Sequence, residues 1–238
     1  ILNASFDQMV VELKKLIEDS YVNELLITQA KLKALEQQVN PHFLYNTLNS
    51  INWLAKRAGS KDISTIAQSL GSMLQSTLNN QENMISIEKE LEIVSCYVKI
   101  QQIRFDDLVV EMNIDPSALE SELPKMTIQP LVENAIVHGT DGAEKICHIQ
   151  VSARKEGAYL VLTVADDGCG ITQEELEDIR KEVANYEEDG KKYVALVNIS
   201  ARLHTLYKGH ADFHIDSSLN GGTRIILKLP LEEVNKTC

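Results

Sequence analysis

Four short stretches of the chain hold residue types that can do chemistry. The first is Asn40-Pro41-His42-Phe43-Leu44-Tyr45-Asn46-Thr47-Leu48, a lone histidine in a run otherwise built like a helix. Proline costs little at the first helical position, and asparagine is favoured just before it. Asn40-Pro41 therefore either starts a helix or kinks a continuous one, and both options fix His42 in the first turn after the break. His42 then reads as an ordinary half-buried histidine of a helix cap or as a reactive imidazole. The second stretch, Leu131-Val132-Glu133-Asn134-Ala135, puts a charged-polar pair on a strongly apolar helix. An asparagine carbonyl is a hard oxygen ligand suited to Mg²⁺; a helix edge facing water explains the pair equally well. The third, Asp166-Asp167-Gly168-Cys169-Gly170-Ile171, follows a strand-type run. Its glycines let the backbone turn sharply and approach a ligand, and a carboxylate can accept a hydrogen bond from the exocyclic amine of a purine. A plain Asp-Gly turn is the alternative. The fourth, Asn220-Gly221-Gly222-Thr223, reads as part of a nucleotide site or as a simple hairpin.

The elements that must position these residues follow from periodicity. Residues 5 to 39 contain no Gly or Pro and are rich in Leu, Lys, Glu and Gln, which predicts one long helix. Met9, Leu13 and Leu16 form one apolar stripe; Leu25, Thr28, Leu32, Leu35 and Val39 form a second with coiled-coil spacing. Such a helix wants a partner, most simply the same helix of a second subunit, the alternative being a lone amphipathic helix on a globular core. Gly59-Ser60-Lys61-Asp62 is a turn, and a second helical region runs from Ile63 to Phe105, with a candidate interruption near Asn79-Asn80. Two long helices joined by a short turn make an antiparallel hairpin, and two hairpins make a four-helix bundle.

Past Phe105 the period switches, with Asp115-Pro116-Ser117 marking a change of character. Strand-type runs lie at Leu108–Ile114, Cys147–Ala153, Tyr159–Ala165, Ala211–Ile215 and Thr223–Leu229. Helical segments lie at Ile128–His138, Gln173–Asn185 and Val194–Tyr207. The fold class is therefore α+β, a helical hairpin followed by a mixed sheet with helices on one face.

Composition sets the outer bounds. A formal net charge of -12 argues against nucleic acid as a partner, since phosphate backbones are bound by clustered Lys and Arg. Cys96, Cys147, Cys169 and Cys238 have no metal-type or redox-type spacing and read as reduced thiols. No apolar run is long enough for a membrane span, and no signal peptide is visible. A start at Ile1 in mid-pattern, without Met, reads as a fragment of something longer.

Taken together and in order, the Asn-Pro-His stretch, Gln129-Pro130-Leu131-Val132-Glu133-Asn134-Ala135 with His138-Gly139, the DxGxG and the terminal GGT resemble the LytS/YesM-type sensor histidine kinases. The ATP-binding domain of that family belongs to the GHKL (Bergerat-fold) superfamily. The resemblance covers nearly the whole chain. It implies three regions: 1–38 as the end of a HAMP linker and a signalling coiled-coil helix, 39–106 as the dimerisation and phosphoacceptor hairpin, and 107–238 as the ATP-binding α/β sandwich. It implies His42 as phosphoacceptor, Asn134 as the Mg²⁺ ligand and Glu133 as its acidic catalytic neighbour. His138 belongs to the same nucleotide-binding box, Asp166 would read adenine, and Gly168 and Gly170 would shape the pocket. Gly221, Gly222 and Thr223 match the last box. The cofactors implied are ATP and Mg²⁺. The implied partners are a second copy of the chain and a response regulator, and the implied setting is the cytoplasmic portion of a bacterial cell-membrane protein.

Three positions depart from the family pattern. The second glycine box, expected as Gly-x-Gly-Leu-x-Asn, reads Tyr193-Val194-Ala195-Leu196-Val197-Asn198. Leu196, Asn198 and Arg202 fit it, but both glycines are absent, and bulkier side chains there could keep backbone amides from the phosphates. Asp167 stands where asparagine is usual, adding negative charge beside a polyphosphate site. Phe43 follows His42 where an acid would supply a general base. These departures leave two readings to separate: an active ATP-dependent kinase, or a non-catalytic signalling module that works by dimer rearrangement. A GHKL-type ATPase without a phosphoacceptor leaves the Asn-Pro-His stretch unexplained.

Overall fold

A computed structural model describes residues 41–79, 83–140, 148–185 and 193–231. The helix expected over 5–39, with both its stripes, lies outside the described residues. Contacts divide the chain between Asn46 and Thr47. The first unit is described only over the opening turns of α1, and the second runs from Thr47 through the sheet.

Helix α1 (Pro41–Ala58) ends at Gly59, whose φ of +72° lets Ser60 N turn back to Ala55 O at 3.0 Å. Helix α2 (Lys61–Asn79) returns beside it, with Ser64 Oγ donating to Asn52 Oδ1 at 2.6 Å. Ile51, Trp53, Leu54 and Ile63 stay exposed on this hairpin, Trp53 at 57%. The interruption expected near Asn79-Asn80 is present. A short strand β1 (Met84–Ser86) intervenes, and Ser86 then caps α3 (Ile87–Arg104) by accepting from Lys89 N.

Strand β1 pairs antiparallel with β3 (Glu122–Pro124), three residues on three, a ribbon too short for any alternation to announce. The main sheet contains β2 (Val109–Ile114), β4 (His148–Glu156), β5 (Tyr159–Asp166), β6 (Asp212–Ser217) and β7 (Thr223–Pro230). Their order is β2-β4-β5-β7-β6, with β2 parallel to β4 and every other pair antiparallel. Ile149, Val151, Leu160, Leu162, Ile225, Leu227 and Leu229 turn to one face and are buried. On that face lie α4 (Ile128–Thr140), α5 (Gln173–Ala184) and α6 (Val194–Leu206), together with the apolar side of α3 through Ile87, Leu91, Val94 and Val98. The fold is α+β, with the helices on one side of a mixed sheet.

Candidate nucleotide site and phosphoacceptor histidine

The site is built where β5 ends and β7 begins. Asp166 and Thr223 are direct partners in the β5–β7 ladder, so the loops at those ends leave the sheet at the same edge. Asp166 Oδ1 accepts hydrogen bonds from Gly168 N at 2.9 Å and Thr223 N at 3.3 Å. That leaves Oδ2 for a donor on a ligand. Asn220 N donates to Cys169 O at 2.6 Å, Ile171 N to Ser217 Oγ at 2.9 Å, and Ser217 Oγ to Gly222 O at 2.7 Å. The two loops are thereby tied together by one backbone bond and by the Ser217 hydroxyl.

Glycine is a requirement here. Gly170 and Gly222 have φ of +66° and +75°. A Cβ at Gly170 would lie 1.9 Å from Ser218 O, one at Gly222 would lie 1.9 Å from Asp166 O, and one at Gly221 would lie 2.2 Å from Ser218 Oγ. Gly168 is buried beneath Asp166. Gly168, Gly221 and Gly222 therefore shape the loops, while Gly170 and Thr223 also line the cavity.

That cavity holds about 520 Å³, within the range of small-molecule sites. Asn134, Ala135 and His138 of α4 line one wall, and Asp166, Cys169 and Ile171 the base. Glu175 and Ile179 of α5 and residues Tyr193 to Leu196 at the start of α6 close the other side. Burial pushes the Asp166 carboxyl above the ordinary aspartate range; the N–H groups of Gly168 and Thr223 pull it back, as does His138. The half-buried Asn134 amide makes no hydrogen bond among the described residues, so it is open to a polar ligand. No group of three or more His, Cys, Asp or Glu that could hold a metal occurs among the described residues. A Mg²⁺ carried in by phosphates needs only one or two protein ligands, and an asparagine carbonyl fits that role.

Other expected site residues fall elsewhere. Glu133 is exposed, outside the cavity lining, and its charge acts on Tyr97 of α3, whose hydroxyl is pushed upward first by burial and then by Glu133. Asn198 is exposed and lines nothing in the cavity. Arg202 turns away from the cavity: Nη1 donates to Lys125 O at 2.7 Å, and Nη2 to Met126 O at 2.8 Å and Thr127 Oγ1 at 3.1 Å. Asp167 is exposed and outside the cavity lining, where it caps β4 by accepting from His148 N at 2.7 Å, though its charge still pushes the Asp166 carboxyl upward.

The backbone of the second box adopts no conformation that requires glycine. Tyr193 stands at the N-cap of α6 with φ −108°, and Val194 and Ala195 are already helical, so none adopts a glycine backbone. The Tyr193 hydroxyl donates to Glu175 Oε1 at 2.8 Å, tying α6 to α5 at the rim.

His42 lies in the first turn of α1 and is exposed. Asn46 Nδ2, one turn on, is 3.3 Å from both ring nitrogens; one amide cannot serve both lone pairs, so the contact marks proximity at i, i+4 and leaves the tautomer open.

One buried residue was not singled out from the sequence. Glu90 has 0% exposure, and its carboxylate accepts from the backbone at the start of α4. The signal existed: Ile87, Leu91, Val94 and Val98 mark the apolar side of α3, and position 90 falls within it.

A mixed sheet with helices on one face, and a cavity between its glycine loops, is the setting in which two family models match the chain. Residues 120–233 match the family described as histidine kinase-, DNA gyrase B-, and HSP90-like ATPase, and residues 30–109 match the histidine kinase family. The chain is 35% identical over 97% of its length to the sensor histidine kinase YesM of Bacillus subtilis. It is 33% identical over 93% of its length to the sensor protein kinase HptS of Staphylococcus aureus. It spans only 38% and 42% of those two proteins. The histidine kinase domain of a blue-light activated kinase from Erythrobacter litoralis aligns with 81% of this chain and 94% of its own, at 17% identity and a TM-score of 0.48. The chain belongs to the sensor histidine kinases of the YesM type.

Proposed function

We propose that this chain carries the kinase activity of a two-component sensor: ATP-dependent phosphorylation of His42, then transfer to an aspartate of a response regulator. The observation that carries the reading is Asp166. It is a half-buried carboxylate, anchored on one oxygen by two backbone N–H groups, at the base of a cavity that Asn134 also lines. A fixed acceptor selects the exocyclic amine of adenine, and Asn134 supplies an oxygen for the Mg²⁺ of Mg-ATP. A Mg²⁺ held there by Asn134 would supply positive charge to offset that of the β- and γ-phosphates. A neutral imidazole nitrogen of His42 attacks the γ-phosphorus, the N–P bond forms as the bond to the β-phosphate oxygen breaks, and ADP leaves. Glu133 is retained as a candidate catalytic acid, and Asn198 as a candidate phosphate contact.

The exposed Ile51, Trp53, Leu54 and Ile63 support a second copy of the chain packed on the hairpin, giving a four-helix bundle over 39–106. Residues 1–38 are proposed as the signalling helix from a HAMP region, with membrane attachment supplied by a part of the protein outside this chain. Residues 107–238 are proposed as the ATP-binding domain. No helix among the described residues is long and apolar enough to cross a membrane. The non-catalytic alternative rests on the second glycine box, and the ordinary backbone of Tyr193 to Ala195 counts against it only in part, since the side chains there still border the cavity.

The test is incubation with γ-labelled ATP and Mg²⁺, wild type against His42→Gln. Acid-labile label in the wild type, lost in a variant that still dimerises and binds ATP, is expected. Label that persists in the variant at another residue would refute the assignment of His42.

A further inference from the structure

Glu90 is an ionisable group with no exposed surface and no part in the nucleotide chemistry proposed above. A carboxylate taken out of water is costly unless hydrogen bonds offset its burial. Burial raises the Glu90 carboxyl above its ordinary range, and the N–H groups of the turn that enters α4 pull it part of the way back. Met126 N donates to Glu90 Oε2 at 3.0 Å, while Thr127 N, Ile128 N and Gln129 N converge on Oε1 at 2.9, 3.0 and 3.4 Å. These are the N–H groups that a helix start leaves without partners.

Arg202 grips the same turn from α6 through the carbonyls of Lys125 and Met126 and the hydroxyl of Thr127. Thr127 Oγ1 in turn donates to Pro124 O at 2.5 Å. Between the two grips Met126 is held at φ +60°, a strained conformation for a non-glycine residue that persists only when its surroundings fix it. Three helices thus meet on five residues of backbone: α3 through Glu90, α4 through its first amides, and α6 through Arg202.

Helices α4 and α6 are opposite walls of the cavity, carrying Asn134 and His138 on one and Leu196 on the other. Asn134 stands six residues beyond Ile128, about 9 Å along the helix axis. A tilt of about 6° at the anchor would move it by about 1 Å, and a misplacement of that size can cost about 100-fold in reaction rate.

We propose that Glu90 is a positioning residue for the nucleotide pocket, acting with Arg202 through the turn at Pro124–Ile128 to set how α4 and α6 face each other across the cavity. The proposal rests on the nucleotide reading above, and its test separates the two. The full chain is compared as wild type, Glu90→Gln, Arg202→Lys and the double variant, by Mg-ATP titration calorimetry well below the unfolding temperature and by thermal unfolding. Glu90→Gln keeps one acceptor oxygen but turns an NH₂ group toward the Met126 N–H. Arg202→Lys keeps the charge and loses the fork. Each is expected to weaken ATP binding about tenfold in the folded protein. The double variant should be no more than about twofold worse than the poorer single, since both act through one turn. Unchanged ATP affinity at a lowered unfolding temperature would reduce Glu90 to a purely structural group and overturn the proposal. Fully additive losses would overturn the shared device. Should Glu90→Gln fail to fold, Arg202→Lys decides alone by the same affinity criterion. A wild type that binds no ATP would remove the nucleotide reading and this inference together; a wild type that binds while both variants bind equally well removes this inference only.

Discussion

Gly170, Gly221 and Gly222 stand where two loops press backbone against backbone, whereas Tyr193, Val194 and Ala195 stand where a helix begins. Both regions border one cavity, and both are read in the family pattern as glycine boxes. In the first region a β-carbon at Gly170 or Gly222 would run into backbone at 1.9 Å and both φ angles are positive, while one at Gly221 would meet the Ser218 hydroxyl. In the second every φ is ordinary, and side chains point along the rim of the pocket. The glycine requirement belongs to contact geometry, so a motif can lose its glycines in one place and not in the other.

Substitutions in the two regions should therefore differ sharply. Gly222→Ala has the largest expected effect. A Cβ 1.9 Å from Asp166 O at φ +75° must displace the β5 end, costing more than about 3 kcal/mol in urea unfolding and abolishing ATP binding. A Gly222→Ala protein of near wild-type stability would break the comparison. Asp166→Asn comes next. It keeps an acceptor for Gly168 N and Thr223 N but replaces the second oxygen with a donor, and ATP affinity by titration should fall about 10- to 100-fold with the fold retained. Ala195→Gly is the reciprocal of the first change and should do little. Restoring a glycine in the first turn of α6 should cost about 0.5–1 kcal/mol of stability and leave ATP affinity within about twofold. A large gain in affinity would show that the side chains of the second box obstruct the phosphates after all.

The smallest effect is a pH dependence. Burial raises the Asp166 carboxyl above its usual 3.8, so the native state holds a proton that the unfolded chain has released. That contribution to stability is fully present below the unfolded value and is lost as pH rises through the folded one. Unfolding temperatures of wild type and Asp166→Asn, measured from acidic to neutral pH, should show the wild type losing ground to the variant as pH rises. A gap that does not change with pH would place Asp166 in a more hydrated setting than its burial indicates.

Much of this was legible because local periodicity reports burial. The five strands of the main sheet and helices α4, α5 and α6 fall within a few residues of where alternation and helical spacing put them. The break after Asn79 was legible, but the β1–β3 ribbon was not, since three residues cannot display a period. Of the residues that the family resemblance marked, Asn134, His138, Asp166, Gly170, Leu196 and Thr223 do converge on one cavity. Glu133, Asn198 and Arg202 do not, because a motif fixes spacing along the chain and not the side of the helix that faces the pocket.

By itself the sequence determined the order of elements, the turn residues, the apolar faces and the family, all of which depend on neighbours a few positions apart. Only the tertiary structure decided that Glu90 and Arg202, 112 positions apart, close on the same turn, and that Asp167 leaves the pocket. It alone also showed that Tyr193 to Ala195 take up an ordinary helix-start backbone. These are matters of which backbone meets which, and a side chain's role there is set by partners that no local pattern encodes.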